Sequence, residues 1–159
     1  MTTANAILLV EDNVDDVELI LAALAKNDLA NEVVVARNGG EALDYLHRRG
    51  EFHTRPPDNP VVVFLDLKMP KVDGLEVLRQ MKSDDELKII PIVILTSSRE
   101  EADLARSYEL GANSYVVKPV ESQQFADAIR QLGKFWAVVN EPPPSHWRSL
   151  SSQSLSLPR

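Results

Sequence analysis

Apolar residues in this chain collect in short unbroken runs, separated by longer stretches where they recur at helical spacing. Four runs are rich in Val, Ile and Leu: Ile7 to Val10, Val33 to Ala36, Val61 to Leu65 and Ile92 to Leu95. A weaker fifth lies at Ser114 to Val117. Such runs, without polar alternation, predict strands buried on both faces. The first intervening stretch carries Val17, Ile20, Leu21 and Leu24, one apolar stripe of an amphipathic helix. Asp15 followed by Glu18 fits a capping box and predicts a helix starting at Val14 or Asp15. A second helix is expected from Gly40 to Arg49, with Ala42, Leu43 and Leu46 apolar and Gly50 as its stop. A third, from Leu75 to Lys82, carries Leu75, Leu78 and Met81. A fourth, from Glu100 to Leu110, carries Ala102, Ala105 and Leu110 and ends at Gly111. The fifth runs from Ser122 into the 130s, with Phe125, Ala128, Ile129, Leu132, Phe135, Trp136 and Val139.

Strand and helix thus alternate five times, the rhythm of an α/β fold with right-handed crossovers. The expected architecture is a five-stranded parallel sheet, doubly wound as a (βα)5 flavodoxin-like sandwich. Five units are too few for an eight-stranded barrel. After Asn140 the chain turns to Glu-Pro-Pro-Pro and a Ser/Leu-rich end, which divides it into a domain at 1–140 and a Pro/Ser-rich extension at 141–159. That extension is either a mobile tail or an arm that docks on a partner subunit through Trp147 and Leu150.

Composition narrows the chemistry. Among 159 residues, 24 Asp and Glu face 17 Lys and Arg, for a net charge of -7, so a broad phosphate-binding face for nucleic acid is not expected. With no cysteine there is no disulfide, thiolate metal site or thiol nucleophile, and His47, His53 and His146 are scattered. No apolar run approaches the length of a membrane span, and the N-terminus lacks a basic signal region. The expected location is the cytoplasm.

In a doubly wound sheet, ligands bind beyond the carboxyl ends of the strands. Glu11 and Asp12 follow the first strand, Asp66 the third, Thr96 ends the fourth, and Lys118-Pro119 follows the fifth. Three crowded carboxylates call for a hard divalent cation, Mg2+ in the first instance. With a lysine and a hydroxyl beside them, the set suits a phosphoryl group in transfer, one carboxylate acting as nucleophile. Taken singly, Asp12 or Asn13 would be a helix cap and Thr96 a β-branched strand residue; their convergence is what carries the reading. Asp73-Gly74 is read as a turn launching the third helix, and Asp15 and Asp16 as charges favoured by the helix dipole.

The segments Leu8-Leu9-Val10-Glu11-Asp12-Asn13, Phe64-Leu65-Asp66-Leu67-Lys68-Met69-Pro70, Leu95-Thr96-Ser97 and Tyr115-Val116-Val117-Lys118-Pro119 resemble a response-regulator receiver domain over about residues 5 to 140. The absence of an output-domain pattern after them resembles the stand-alone class. Gln131-Leu132-Gly133-Lys134-Phe135-Trp136 and Asn140-Glu141-Pro142-Pro143 further resemble the small regulators paired with cyanobacterial and bacterial phytochromes.

The resemblance implies roles. Asp66 would accept a phosphoryl group from the phosphohistidine of a sensor histidine kinase, a phytochrome in the narrower match. The chain would catalyse this transfer and its own dephosphorylation. Mg2+, or Mn2+, would be held by Asp12, Asp66 and the backbone carbonyl of Lys68, with Glu11 reaching it directly or through water. Glu11 departs from the family, where many members have Asp. Lys118 would pair with a phosphoryl oxygen, aimed by a cis peptide before Pro119. Thr96 would donate to another oxygen, and Tyr115 would turn inward as Thr96 moves. Lys68 and Ser98 occupy the two positions that set phosphate lifetime in the family, and the switching surface would comprise helix four, strand five and helix five.

Apolar Phe135, Trp136, Val138 and Val139 cover more than one face of helix five. They predict a homodimer through a surface containing Leu132, Phe135, Trp136 and Val139, unless the polyproline tail folds back over it. Two other functions compete. A phosphatase of the haloacid-dehalogenase class would need an acid two residues after its nucleophile, where Lys68 stands. A receiver acting only as a binding module would be expected to have lost the acceptor, an acid or the lysine, and none is lost. A direct transcription factor is disfavoured, because no helix-turn-helix or basic segment follows.

Overall fold

Alternation along the central strands decides which helices cover which face of the sheet. The computed structural model describes residues 5–144 and 146–150. It contains β1 (Ile7–Val10), α1 (Val14–Ala25), β2 (Val33–Ala36), α2 (Gly39–His47), β3 (Val62–Leu65), α3 (Gly74–Ser83), β4 (Ile92–Thr96), α4 (Glu101–Glu109), β5 (Ser114–Val117) and α5 (Ser122–Lys134). All paired strands are parallel, in the order β2-β1-β3-β4-β5, the flavodoxin-like doubly wound order expected from the sequence.

Leu8, Val10, Val63, Leu65, Ile92 and Ile94 point to one face, where Leu43 and Leu46 of α2 and Val77, Leu78 and Met81 of α3 close over them. Ile7, Leu9, Val62, Phe64, Val93 and Leu95 point to the other, against Val17, Ile20 and Leu24 of α1 and Phe125 and Ile129 of α5. Because β1, β3 and β4 are covered on both sides, every residue in them is buried and no polar alternation shows in the sequence. Burial of each of these large side chains contributes roughly 1.5–3 kcal/mol.

Several local details differ from the sequence-based expectation. β2 and β5 are edge strands and are mostly half-buried, not covered on both faces. The N-cap of α1 is Asn13, whose side chain accepts from the Asp16 backbone N–H, so the Asp15–Glu18 capping box is not used. α2 ends before Gly50, on Arg48 in the left-handed conformation. Ala102 and Ala105 of α4 are exposed; the buried positions of that helix are Asp103 and Ser107, with Leu110 packed partly against the core.

α5 carries its apolar stripe through Phe125, Ile129, Leu132 and Trp136, all on the core side. Past Lys134 it widens into a π-helical turn, Phe135–Val139, closed by the Asn140 N–H donating to the Phe135 carbonyl at 2.7 Å. The extra residue in that turn puts Val138 and Val139 out of phase with the stripe. Leu132 and Trp136 are partly buried against the core. Phe135, Val138 and Val139 are 46%, 62% and 59% exposed.

The described part of the extension, 141–144 and 146–150, comes back over the pole where strands begin. Pro142, Pro143, Pro144 and Trp147 line a small cavity with Asn5, Pro60, Ile90 and Pro91, and Arg148 pairs with Glu86 at 2.5 Å. These contacts lie within the same chain and leave Phe135 and Val139 exposed. Residues 145 and 151–159 of the extension lie outside the described residues. Among the described residues, no helix is long and apolar enough to cross a membrane.

Candidate functional site

Parallel pairing brings the ends of β1, β3, β4 and β5 to one rim, and the ladder continues past the strands to fix the residues beyond them. The Glu11 N–H donates to the Ala36 carbonyl at 3.0 Å, the Asp66 N–H to Val10 at 3.1 Å, and the Lys118 N–H to Thr96 at 2.8 Å. Glu11, Asp12, Asn13, Asp16, Asp66, Lys68, Thr96, Ser97 and Lys118 line an open pocket of about 470 Å3. Asp73 caps α3 by accepting from the Glu76 N–H, as its turn position implied, and Gly74 lets that helix start against the strand end. A Cβ on Gly74 would lie 2.1 Å from the Asp66 carbonyl oxygen, so only glycine allows this approach.

The ammonium of Lys118 is buried among acids. It donates to Glu11 Oε1, lies 2.8 Å from Asp16 Oδ2 and stands 3.7 Å from Asp66 Oδ2. Burial alone would lower its pKa, but the hydrogen bonds to Asp16 and Glu11 and the charge of Asp66 outweigh it and raise the pKa above the ordinary lysine value. Glu11 uses its second oxygen to accept from the backbone N–H groups of Asp12 and Asn13, at 3.1 and 3.3 Å. Burial, opposed by Lys118 and reinforced by Asp66, raises the Glu11 carboxyl to about 7.

No cis peptide occurs among the described residues, so the expected cis bond before Pro119 is absent; Lys118 reaches all three acids from a trans linkage. Asp16, expected only as a helix-start charge, is the second counter-ion of Lys118. Nothing in the sequence separates the two roles, since an acid in a first turn is already accounted for by the dipole.

Glu11, Asp12 and Asp66 each present a carboxylate oxygen within 4.8 Å of the others, and together they fit a divalent cation: the donors are hard oxygens, and their mutual repulsion is only partly relieved by Lys118. Thr96 is fully buried at the end of β4, its Oγ1 accepting a long bond, 3.4 Å, from the Ser98 N–H. Ser98 Oγ donates to Asp103 Oδ2 at 2.6 Å, and Lys68 Nζ lies 3.2 Å from the same oxygen. Tyr115 is half-buried and donates its hydroxyl to the Ser98 carbonyl at 3.0 Å. Asp103, which is not among the residues singled out from sequence, thus joins Lys68 to Ser98. Its only sequence signal is the polar pair Asp103 and Ser107, spaced to share one helix face.

Comparison with known proteins places the chain in a family. Residues 7–130 match the model of the response regulator receiver domain. Response regulator Rcp1 of Synechocystis sp. is 37% identical over 130 residues, covering 82% of this chain and 87% of that one. The crystal structure of the phosphorylated cyanobacterial phytochrome response regulator RcpA is 40% identical, with a TM-score of 0.84 over 89% of this chain and 99% of that one. The bacteriophytochrome response regulator AtBRR is 64% identical, with a TM-score of 0.70 over 88% of this chain and all of that one (100%). The crystal structure of Rcp1 is of an Mn2+-bound form, at a TM-score of 0.83. With its fold, its strand-end acids and its lysine all in the matched segment, the chain belongs to the response regulator receiver domain family.

Proposed function

We propose that the chain is a stand-alone response regulator whose Asp66 accepts a phosphoryl group from the phosphohistidine of a sensor histidine kinase. In that step a new P–O bond forms to an Asp66 oxygen as the P–N bond to the kinase imidazole breaks, the electron pair returning to the ring. The observation that carries the reading is the placement of Lys118 Nζ 3.7 Å from Asp66 Oδ2, where it can pair with a phosphoryl oxygen. Thr96 at the neighbouring strand end supplies a hydroxyl donor to a second oxygen. Asp12, Asp66, Glu11 and the backbone carbonyl of Lys68 would hold Mg2+, which supplies neutralising charge for the transferred group. Lys118 stays a cation throughout, held by Asp16 and Glu11. Thr96 and Tyr115 carry the change to the surface of α4, β5 and α5. Hydrolysis of the aspartyl phosphate within the same pocket would end the signal.

The phytochrome regulators among the relatives favour a phytochrome as the kinase, met in the cytoplasm. Exposed Phe135, Val138 and Val139 favour a homodimer through the α4-β5-α5 surface, with the extension 141–159 a separate appendage. The deciding experiment is intact-mass analysis after incubation with acetyl phosphate. One Mg2+-dependent phosphoryl adduct is expected on the wild-type protein and none on Asp66→Ala. An adduct that persists on Asp66→Ala, or that forms equally well in excess chelator, would overturn the assignment.

A further inference from the structure

α4 faces the domain with a carboxylate. Asp103 and Ser107 are its buried residues, and the Asp103 side chain is only 11% exposed. One oxygen of that carboxylate, Oδ2, serves two groups from different segments: Ser98 Oγ at 2.6 Å, from the turn after β4, and Lys68 Nζ at 3.2 Å, from the turn after β3. Ser107, one turn on and also buried, donates its Oγ to the Asp103 carbonyl at 2.8 Å within the helix. The arrangement keeps the Asp103 carboxyl below its ordinary range, through Ser98 first and Lys68 second. It raises the Lys68 ammonium above its usual value, chiefly through Asp103.

Lys68 follows Asp66 by two residues and lines the same pocket. Its single ammonium can pair closely with Asp103 or with the oxygens of a phosphoryl group on Asp66, and the two anions compete for it. Ser98 is in the same position, its hydroxyl proton already committed to Asp103. Resting on the reading of Asp66 as phosphoacceptor, we propose that Asp103 is a positioning residue for hydrolysis of the aspartyl phosphate. It holds Lys68 and Ser98 at the rim, away from the phosphoryl group, and so keeps open the approach of water. In the step it controls, a water oxygen bonds to phosphorus and the P–O bond to Asp66 breaks. The electron pair returns to the Asp66 carboxylate, and the water's protons leave on inorganic phosphate or to solvent.

The test uses the full chain, phosphorylated with acetyl phosphate in excess Mg2+ and then freed of donor, with loss of the adduct followed by intact mass. Asp103→Asn retains an acceptor for Ser98 and the size of the side chain but removes the charge that holds Lys68. Its adduct is expected to decay about three- to fivefold more slowly, the scale of one partly exposed ion pair. On a Lys68→Ala background, the same Asp103→Asn change is expected to have no further effect, and Asp103→Glu is expected to restore rapid decay. An Asp103→Asn adduct that decays at the wild-type rate or faster overturns the proposal. So does equal slowing with and without Lys68, which would mean that Asp103 acts through the fold alone. Failure of the wild-type protein to form any adduct would instead remove the phosphoacceptor assignment and this inference with it.

Discussion

Lys118 Nζ lies 2.8 Å from Asp16 Oδ2, a contact that ties the end of β5 to the first turn of α1. The lysine side chain is 6% exposed and touches Glu11 as well, so its charge is compensated by groups from two segments. Removing it would strand three carboxylates around one point. Lys118→Ala is therefore expected to destabilise the metal-free domain by about 3 kcal/mol, the lower end of the cost of breaking a buried ion pair. Urea unfolding in chelator would measure this, and added Mg2+ should recover a substantial part of the loss.

Glu11 gives the site a pH dependence with a defined sign. Its carboxyl is raised to about 7 by burial, against an ordinary value of 4.5. Between those values the folded, metal-free protein holds a proton that the unfolded chain has released. Stability of the metal-free protein is therefore fully present below the lower value and declines as pH rises through the window. Binding of a divalent cation reverses the preference, because the cation requires the carboxylate. Mg2+ affinity should then weaken as pH falls below about 7 and level off above it, with proton release on binding at pH 6. Calorimetry in buffers of differing ionisation enthalpy checks this. Binding with no proton release at pH 6 would place Glu11 outside the metal's influence.

Much of this site is legible in the sequence, for a physical reason. Strands covered on both faces seldom carry a polar residue, so the polar residue that closes each central apolar run marks a strand end, and Glu11, Asp66 and Thr96 stand at such ends, while Lys118 follows the half-buried edge strand β5. Where a residue type serves two purposes equally well, sequence does not discriminate. Asp16 satisfies a helix dipole and also a buried ammonium. Alanine is at home inside or outside a helix, and Ala102 and Ala105 suggest the wrong phase for α4, which is set by Asp103 and Ser107. Val33 to Val35 have the composition of a central strand, yet pairing on one side only leaves them half-buried.

Gly74 offers a probe of how tightly the acceptor is held. Its Cβ position falls 2.1 Å from the Asp66 carbonyl oxygen and 2.7 Å from the Leu67 Cα, both backbone atoms that cannot rotate away. Gly74→Ala must push α3 off the end of β3, at a cost of about 1–3 kcal/mol for overpacking. Because the displaced peptide carries Asp66, phosphorylation by acetyl phosphate should slow along with the loss in stability. Loss of stability with an unchanged phosphorylation rate would show that α3 moves and the acceptor does not.

The two faces of the α5 terminus should respond differently to substitution. Trp136 packs against the core with Leu132, and its ring meets that of Phe135 edge to face at 5.1 Å between centroids. Phe135 is nearly half-exposed and Val139 more so. If a second copy covers the exposed residues, a charge there should separate the copies without unfolding either. Phe135→Glu with Val139→Glu is expected to leave the unfolding midpoint within the small range of surface substitutions while converting a dimer to a monomer in sedimentation. Trp136→Ala should instead lower the midpoint, at a cost of about 3 kcal/mol for truncating a packed aromatic residue. The described part of the extension lies elsewhere, since Trp147 and Arg148 meet the same chain at the opposite end of β3 and β4 from Asp66. A chain ending at Asn140 should therefore remain dimeric if Phe135 and Val139 suffice. A monomer at micromolar concentration would show that residues 141–159 supply the missing contacts.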